Sequence, residues 1–595
     1  MSQRSSFAIV AVICAVCVAL GACGPSVSGD DDDDDDGSGD GGNGDGNNAC
    51  TPNLPVCIGD EIHACNTDGT VGPFISSCPG GTCINGSCND ACAAAVANRS
   101  YIGCEYWPVD LDNAVEVQGL ELLPGFGCPQ PAGGTAPPVP LMVCNQGNTI
   151  YGQCDYSNDC TAASGGTCSS RNVCVLNAQK APFAVVVSNP QTSAAMVTLQ
   201  SATGTMMMDM VMPGQVKALF PQMNSIADQS LDFSGIERKA YKLTSTLPIV
   251  AYQFNPLNNV GVFSNDASLL LPEHAFDLNY TGVTYRTLTR RPTAHDYNGY
   301  LTVVASGPGA TMVSVTATAA VRAGTNVPAI AANGTMTFTL QQFETLNLEA
   351  IAGGDLTGSA ITCSQPCGVF GGHEATNLSQ AAQSPCCADH LEDQIFPNST
   401  WGKVYVVAKS QARMTPVPDL VRIVAQRANT TITFNPPQTG CASALGVGQF
   451  CDVFITADVQ VSATEPILIG HYLSSNGGTQ SDAGDPSMSF AVPTEQYRNQ
   501  YTLLVPSQYN ANYFSIVAPA TGTVTLDGTN VTALANFGDG TFKAGRVAVQ
   551  AGSHNLVCSE GCGVEVYGWS DAVSYLFAGG LDLEQIVIGG PSPSP

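Results

Sequence analysis

Beyond residue 180 the chain reads as short stretches in which apolar and polar side chains alternate, each ended by Gly, Pro or Asn. Alternation with a period of two is what a half-buried strand requires, because successive side chains leave a sheet on opposite faces. Four of these stretches match: PFAVVVSN from Pro182, YLTVVASG from Tyr300, LVRIVAQR from Leu420 and YFSIVAPA from Tyr513. Each is followed by a second strand rich in Thr and Val, such as MVSVTAT or TVTLDG. A further equivalent strand comes later in each copy: PIVAYQF at Pro248, CGVFGGH at Cys367, PILIGHY at Pro466 and CGVEVYG at Cys562. A Pro followed by Tyr eight residues on links successive copies, at Pro272/Tyr280, Pro397/Tyr405 and Pro493/Tyr501. The pattern predicts an all-β fold of four tandem sandwich-like units over 179–271, 272–396, 397–492 and 493–585, with a flexible tail at 586–595. Helical periodicity is short-lived, and DACAAAVANRS (Asp90 to Ser100) carries the best of it.

Two near copies of one motif decide how the cysteines are read. ITCSQPCGV, from Ile361, and LVCSEGCGV, from Leu556, occupy the same place in the second and fourth units, where the first and third have STLP and ATEP. A place filled either by a cysteine pair or by turn-forming residues is a turn leading into a strand. Fully extended, residues four apart would be about 13 Å distant, whereas the Cα atoms of a disulfide lie about 4.4–6.8 Å apart, so a bond here requires that turn. Redox motifs hold two residues between their cysteines and open a helix that stabilises the thiolate. Here three residues intervene, ahead of a strand. Disulfides Cys363–Cys367 and Cys558–Cys562 are therefore expected, and so is Cys441–Cys451. Cys386 and Cys387 either close a vicinal disulfide or pair outward with Cys363 and Cys367.

The N-terminal third has a different texture. Phe7 to Leu20 is an uninterrupted apolar run after MSQR, too short to span a bilayer and suited to a signal-peptide core. It ends in LGAC (Leu20 to Cys23), which resembles a bacterial lipobox, so cleavage after residue 22 and acylation of Cys23 are expected, with palmitate among the acyl chains. The alternative is ordinary secretory cleavage near Ala22. Residues 23–49, with seven consecutive Asp (Asp30 to Asp36) among Gly, Ser and Asn, have nothing to bury and read as an anchor and disordered acidic tether. Residues 50–90 hold six cysteines and so little apolar content that a disulfide module is expected, without the paired spacing of zinc ribbons. Residues 91–178 form a second Cys-rich segment that leads into the first β unit. Outside the leader and Cys23, 22 of the 25 cysteines remain, an even number as an exported, oxidised chain requires.

Charge removes one class of function. With 20 Lys and Arg against 49 Asp and Glu, the formal charge is −29 and there is no basic patch for nucleic acid. The most suggestive cluster runs from Gly371 to Pro397, where His373, Glu374, Asp389 and His390 are metal ligands by residue type. The HE-x-x-H pattern fails at Asn377, and string matching sets His373 beside His471 and Tyr252, a position that packs. In TMMMDMVMP (Thr205 to Pro213) an apolar strand with Asp209 on its solvent face is expected rather than a soft-metal site. No G-x-S-x-G elbow is present, and no His has a nucleophile partner in sequence.

Several strings carry a resemblance: SYIGCEYWPVDLDN (Ser100 to Asn113), APFAVVVSNP, VAYQFNPLNNVGVFSNDASLLLP (Val250 to Pro272), CCADHLEDQIFP and VEVYGWSDAVSYLFAGGL. Together they resemble the IgGFc-binding protein N-terminal domain family, and its myxobacterial-type lipoprotein members in particular, from about Cys92 to Leu583. The resemblance implies extracellular, disulfide-bonded binding or adhesion and brings no catalytic residues or cofactor. The sequence thus reads as a non-catalytic lipoprotein of the outer membrane, facing outward. It is held to the membrane by its lipid alone and binds an extracellular protein or glycan. A secreted carbohydrate- or peptide-active enzyme and a passive envelope component are the rival readings.

Overall fold

The computed structural model describes residues 50–586 apart from 59–60, 79–80, 85–86, 121–126, 131–134, 155–159, 161–165, 260, 263, 289–295, 352, 380–387, 414–415 and 477–482. The leader, Cys23, the Asp-rich tether, Cys386, Cys387 and 587–595 lie outside the described residues.

One long strand organises each unit: Tyr241–Asn255, Ala360–Thr376 and Gly552–Ser570 in the first, second and fourth. In the third the same path is split into Val459–Ala463 and Ile467–Leu473. Its leading half pairs with a lead strand, respectively Gly103–Tyr106, Asp277–Thr281, Val404–Val407 and Arg498–Val505. On its other edge lies the Thr/Val-rich strand, Ala195–Ser201, Thr311–Thr316, Ile432–Asn435 or Val524–Leu526. The trailing half pairs with the strands of the four matching stretches, Ala184–Ser188, Gly299–Ala305, Asp419–Ala425 and Ala511–Pro519. It also pairs with a closing strand, Asp266–Leu269, Asp389–Gln394, Ser487–Phe490 or Val573–Ala578. All these pairings are antiparallel. The lead strand of the first unit comes from the segment before residue 179, so its sheet reaches back across the cysteine-rich excursion.

A bulge separates the two halves. Thr244 and Ile249 face Glu105 and Gly103; Thr362 and Cys367 face Asn279 and Asp277; Val557 and Cys562 face Gln500 and Arg498. Extra residues on one strand bend it, and a strand bent in this way passes from one layer of a sandwich into the other. A tyrosine on each lead strand fixes the bend. The buried hydroxyls of Tyr106, Tyr280, Tyr405 and Tyr501 donate to the carbonyls of Ile249 (2.5 Å), Cys367 (2.7 Å), Ile467 (2.5 Å) and Cys562. Each also accepts a backbone N–H from three residues earlier: Gly103, Asp277, Gly402 and Arg498. This is the physical content of the Pro…Tyr repeat. Cys363 and Cys367 are joined with Cα atoms 6.4 Å apart, and Cys558 and Cys562 with 6.1 Å, each pair closing its bulge. The first and third units carry Pro248 and Pro466 there.

Counted from the hydroxyl-accepting carbonyl, Tyr252, His471 and His373 sit three, four and six residues on, so they are not equivalent. String matching on apolar content failed there because the bulge, not the apolar residues, sets the register. A second correction concerns the methionines. In Met206–Val211 it is Met206, Met208 and Met210 that are exposed, while Asp209 shares the inner face with Met207 and Val211 and pairs with Lys217.

The four closing strands pack side by side in the order first, second, third, fourth and back to first, so the units are arranged radially, as propeller blades are, rather than in line. The ring is tied shut by the chain itself: Leu583 N–H donates to Arg99 O (2.7 Å) and Tyr101 N–H to Leu581 O (3.2 Å). Gly580 has φ +141°, and a Cβ there would lie 2.4 Å from the ring of Tyr101, so this close approach requires glycine.

The N-terminal pieces are small and stapled. Val56–Ile58, Glu61–Cys65 and Val71–Ser77 form a three-stranded sheet held by Cys50–Cys65, and Cys57–Cys83 ties it to the following hairpin. Asp90 caps the helix Ala91–Asn98, accepting N–H groups from Cys92 and Ala93. Between the first lead strand and Ala184, a four-stranded sheet is bound by Cys128–Cys174, Cys144–Cys160 and Cys154–Cys168. Cys441 and Cys451 are bonded in the third unit.

Candidate functional site

A surface cleft of about 580 Å³ opens where the short helix, the first lead strand and the linker into the second unit meet. Its acidic groups come from three separate elements: Asp90 at the helix cap, Glu105 on the lead strand and Glu273 just after Pro272. Burial, with the Glu105 carboxyl beside it, pushes the Glu273 carboxyl up to about 7. Glu105 is held in turn by Lys242 Nζ at 2.6 Å. His274, on the same wall, shares a hydrogen bond of 3.1 Å with Ser100 O, and burial pulls its imidazole below the usual range. Two disulfides rigidify the rim: Cys92–Cys104 on one side, and Cys363–Cys367, whose loop contributes Gln365 and Pro366, on the other. Lys242 offsets only one of the three carboxyls and the described lining residues include no Lys or Arg, so the cleft keeps an acidic balance. Glu105 and Glu273 were not singled out in the sequence; the signal available was their place beside the Cys104 and Pro272 motifs.

The residues that were singled out are buried elsewhere. Along Ala360–Thr376 the His373 ring lies against Arg286 O (3.2 Å), while Glu374 accepts the Asn298 N–H (2.5 Å). Asp389 accepts N–H groups from Asn265 and His390, and His390 Nε2 lies 3.3 Å from Glu392. Burial lowers both His373 and His390 to about 3, leaving neutral rings. Among the described residues no three of His373, Glu374, Asp389 and His390 converge; Glu374 meets Asp112 and Glu349 instead. Neighbours on a strand point to opposite faces, which separates His373 from Glu374.

Asp389 belongs to an acidic hub at the centre of the ring. Asp266 accepts from Ser487 Oγ and from the N–H groups of Met488 and Glu392. Asp393 accepts from Ser268, Gln394, Ser489 and Phe490. Burial pushes Asp393 and Asp485 up to about 7, and Asp266, Asp389 and Glu392 well above the carboxylate range. These carboxyls knit the closing strands together.

The charged cleft thus sits on the surface of a disulfide-stapled all-β scaffold. The chain belongs to the IgGFc-binding protein family, whose family model, described as IgGFc binding protein, matches residues 266–568. The human IgGFc-binding protein is 33% identical over 201 residues, an alignment covering 33% of this chain and 3% of that much longer protein. A solved structure of a tetra-tandem repeat from the extending region of a large adhesion protein aligns over 67% of this chain and 94% of its own. With 9% identity and a TM-score of 0.07 it says nothing about the fold here. No helix among the described residues is long and apolar enough to cross a membrane.

Proposed function

We propose that this chain is a non-catalytic lipoprotein, anchored through Cys23, that binds an extracellular protein by seating a Lys or Arg side chain in the cleft at Glu105 and Glu273. The single observation behind this reading is that acidic, staple-rimmed cleft, whose volume lies in the range of specific ligand sites, about 300–1,000 Å³. Charge supports it: an acidic chain steers basic surfaces toward itself. The lipobox-like LGAC and the Asp-rich tether that follows supply the anchor and the reach. The printed name of the human relative makes immunoglobulin Fc one partner to test, beside envelope proteins and surface glycans.

The experiment is a binding panel on the immobilised full chain, run at low and high salt. The reading expects a protein partner whose affinity falls with salt and drops at least about tenfold in Glu105→Gln/Glu273→Gln, the loss typical of a charge-assisted contact. Glycan binding alone, or protein binding indifferent to both substitutions, would sink it.

A further inference from the structure

We propose that Asp112, Glu349 and Glu374 hold one divalent, oxygen-preferring cation of the Ca²⁺ type at the seam between the first and second units. The three carboxylates arrive from separate places. Asp112 follows the first lead strand, Glu349 ends the strand Thr345–Glu349, and Glu374 lies near the end of Ala360–Thr376. Asp112 and Glu349 are fully buried and Glu374 nearly so, and one oxygen from each lies within 4.8 Å of the other two.

Each carboxylate is positioned through one oxygen. Asp112 Oδ2 accepts from Phe233 N–H (3.1 Å) and Asn347 Nδ2 (3.2 Å). Glu349 Oε2 accepts from Arg322 Nη1 (3.1 Å), and Glu374 Oε2 from Asn298 N–H (2.5 Å). The other oxygens of Asp112 and Glu349, Oδ1 and Oε1, are buried without a hydrogen-bond donor, and the two carboxyls face each other. Leaving a buried acceptor unpaired costs about 1–3 kcal/mol, more when it is charged, and here two such oxygens belong to one cluster. A cation satisfies both at once.

Charge and spacing fit a divalent ion. The three carboxylates meet one guanidinium, Arg322, which leaves a formal excess of two negative charges in the cluster, and the carboxyl of Asp232 lies nearby. Ca²⁺ takes oxygens at about 2.3–2.6 Å, so ligands on opposite sides of it stand up to about 5 Å apart, which the observed spacing allows. The cluster offers neither thiolate nor imidazole, the donors that select zinc or copper. The bound ion would pin Asp112, on the chain of the first unit, to the sheet of the second.

The test uses the full chain, stripped with EDTA and desalted, then titrated with CaCl₂ or MgCl₂ by calorimetry and followed by thermal unfolding. One saturable Ca²⁺ site and a rise of several degrees in the unfolding midpoint are expected. Asp112→Asn/Glu349→Gln keeps the shape and removes the charge, so it loses both effects while the EDTA-treated form stays folded by circular dichroism. If that pair does not fold, Glu374→Gln is expected to show the same loss. Calcium held weakly by the Asp30 to Asp36 run persists in every variant and leaves the midpoint alone. A wild-type midpoint indifferent to Ca²⁺, as a proton shared by Asp112 and Glu349 would give, overturns the proposal. So does an unchanged shift in the variants, or a response to Mg²⁺ alone.

Discussion

His471 sits between two carboxylates, its Nε2 3.0 Å from Asp419 Oδ2 and its Nδ1 3.0 Å from Glu565 Oε2, with Lys409 bound to the far side of Asp419. Burial alone would discharge the ring, but Glu565 and Asp419 outweigh it and raise its pKa to about 10. Because a free imidazole titrates near ~6.5, this ion pair contributes fully below that pH and fades as pH climbs toward 10. The hub acids act over a lower range. Asp393 and Asp485, at about 7, keep protons that the unfolded chain gives up above about 4, so their share of stability also declines as pH rises. His373 and His390 push the other way between about 3 and 6.5, but Asp266, Asp389 and Glu392 join the acids and outnumber them. Asp419, held below the carboxylate range, loses its contribution only in stronger acid. Urea unfolding in EDTA is therefore expected to give a higher stability at pH 5 than at pH 8. His471→Gln should flatten the decline between pH 7 and 10, and a stability that climbs from pH 5 to 8 would contradict this account.

At the scale of elements, the tyrosine and the disulfide act on the same bulge. Tyr280→Phe leaves the Asp277 N–H and the Cys367 carbonyl short of a partner and is expected to cost about 1–3 kcal/mol. Closing a loop as short as Cys363–Cys367 contributes about 2 kcal/mol by the chain-entropy relation, against about 4 for Cys128–Cys174. Because both devices fix one bend, Tyr280→Phe combined with Cys363→Ala/Cys367→Ala should deviate from additivity by about 0.5 kcal/mol or more in denaturant unfolding; strict additivity would show that they act apart. These elements were largely legible. Strand periodicity, the Pro…Tyr spacing and the CSxxCGV copies are local, and they map onto strands, hydroxyl bridges and stapled bulges, the last lying inside one continuous strand where a turn was expected. The register beyond the bulge was not legible, since residues left unpaired carry no periodic mark, and so His373 was set against the wrong neighbours. The cleft and the cation cluster were hidden for a different reason: Glu105 meets Glu273, and Asp112 meets Glu349, only through long-range topology.

Across the whole molecule, two of the four seams carry a charged pin inside an apolar joint. Arg422 reaches from the third unit to Asp355 and Thr284 O of the second. Arg546 of the fourth reaches Asp458 of the third. The joint between the fourth and first units combines backbone pairing around Leu581, Leu583 and Tyr101 with the Asn265 amide, which donates to Ser574 O. Replacing each of these buried leucines with Ala costs about 2–5 kcal/mol, and the damage is expected at a distance. In Leu581→Ala/Leu583→Ala, hydrogen exchange should quicken at Gly103–Tyr106 and along Tyr241–Asn255; unchanged protection there would mean that the first unit stands without the clamp. The partners in that joint, Arg99 and Leu583, are separated by 484 positions along the chain. At ~5–20 residues per second of synthesis, the second emerges ~25–100 s after the first. Until then the growing polypeptide carries a gap at residues 99–101 that residues 581–583 fill, so a product cut short before them displays that raw margin, a mark by which quality-control proteases could recognise unfinished copies.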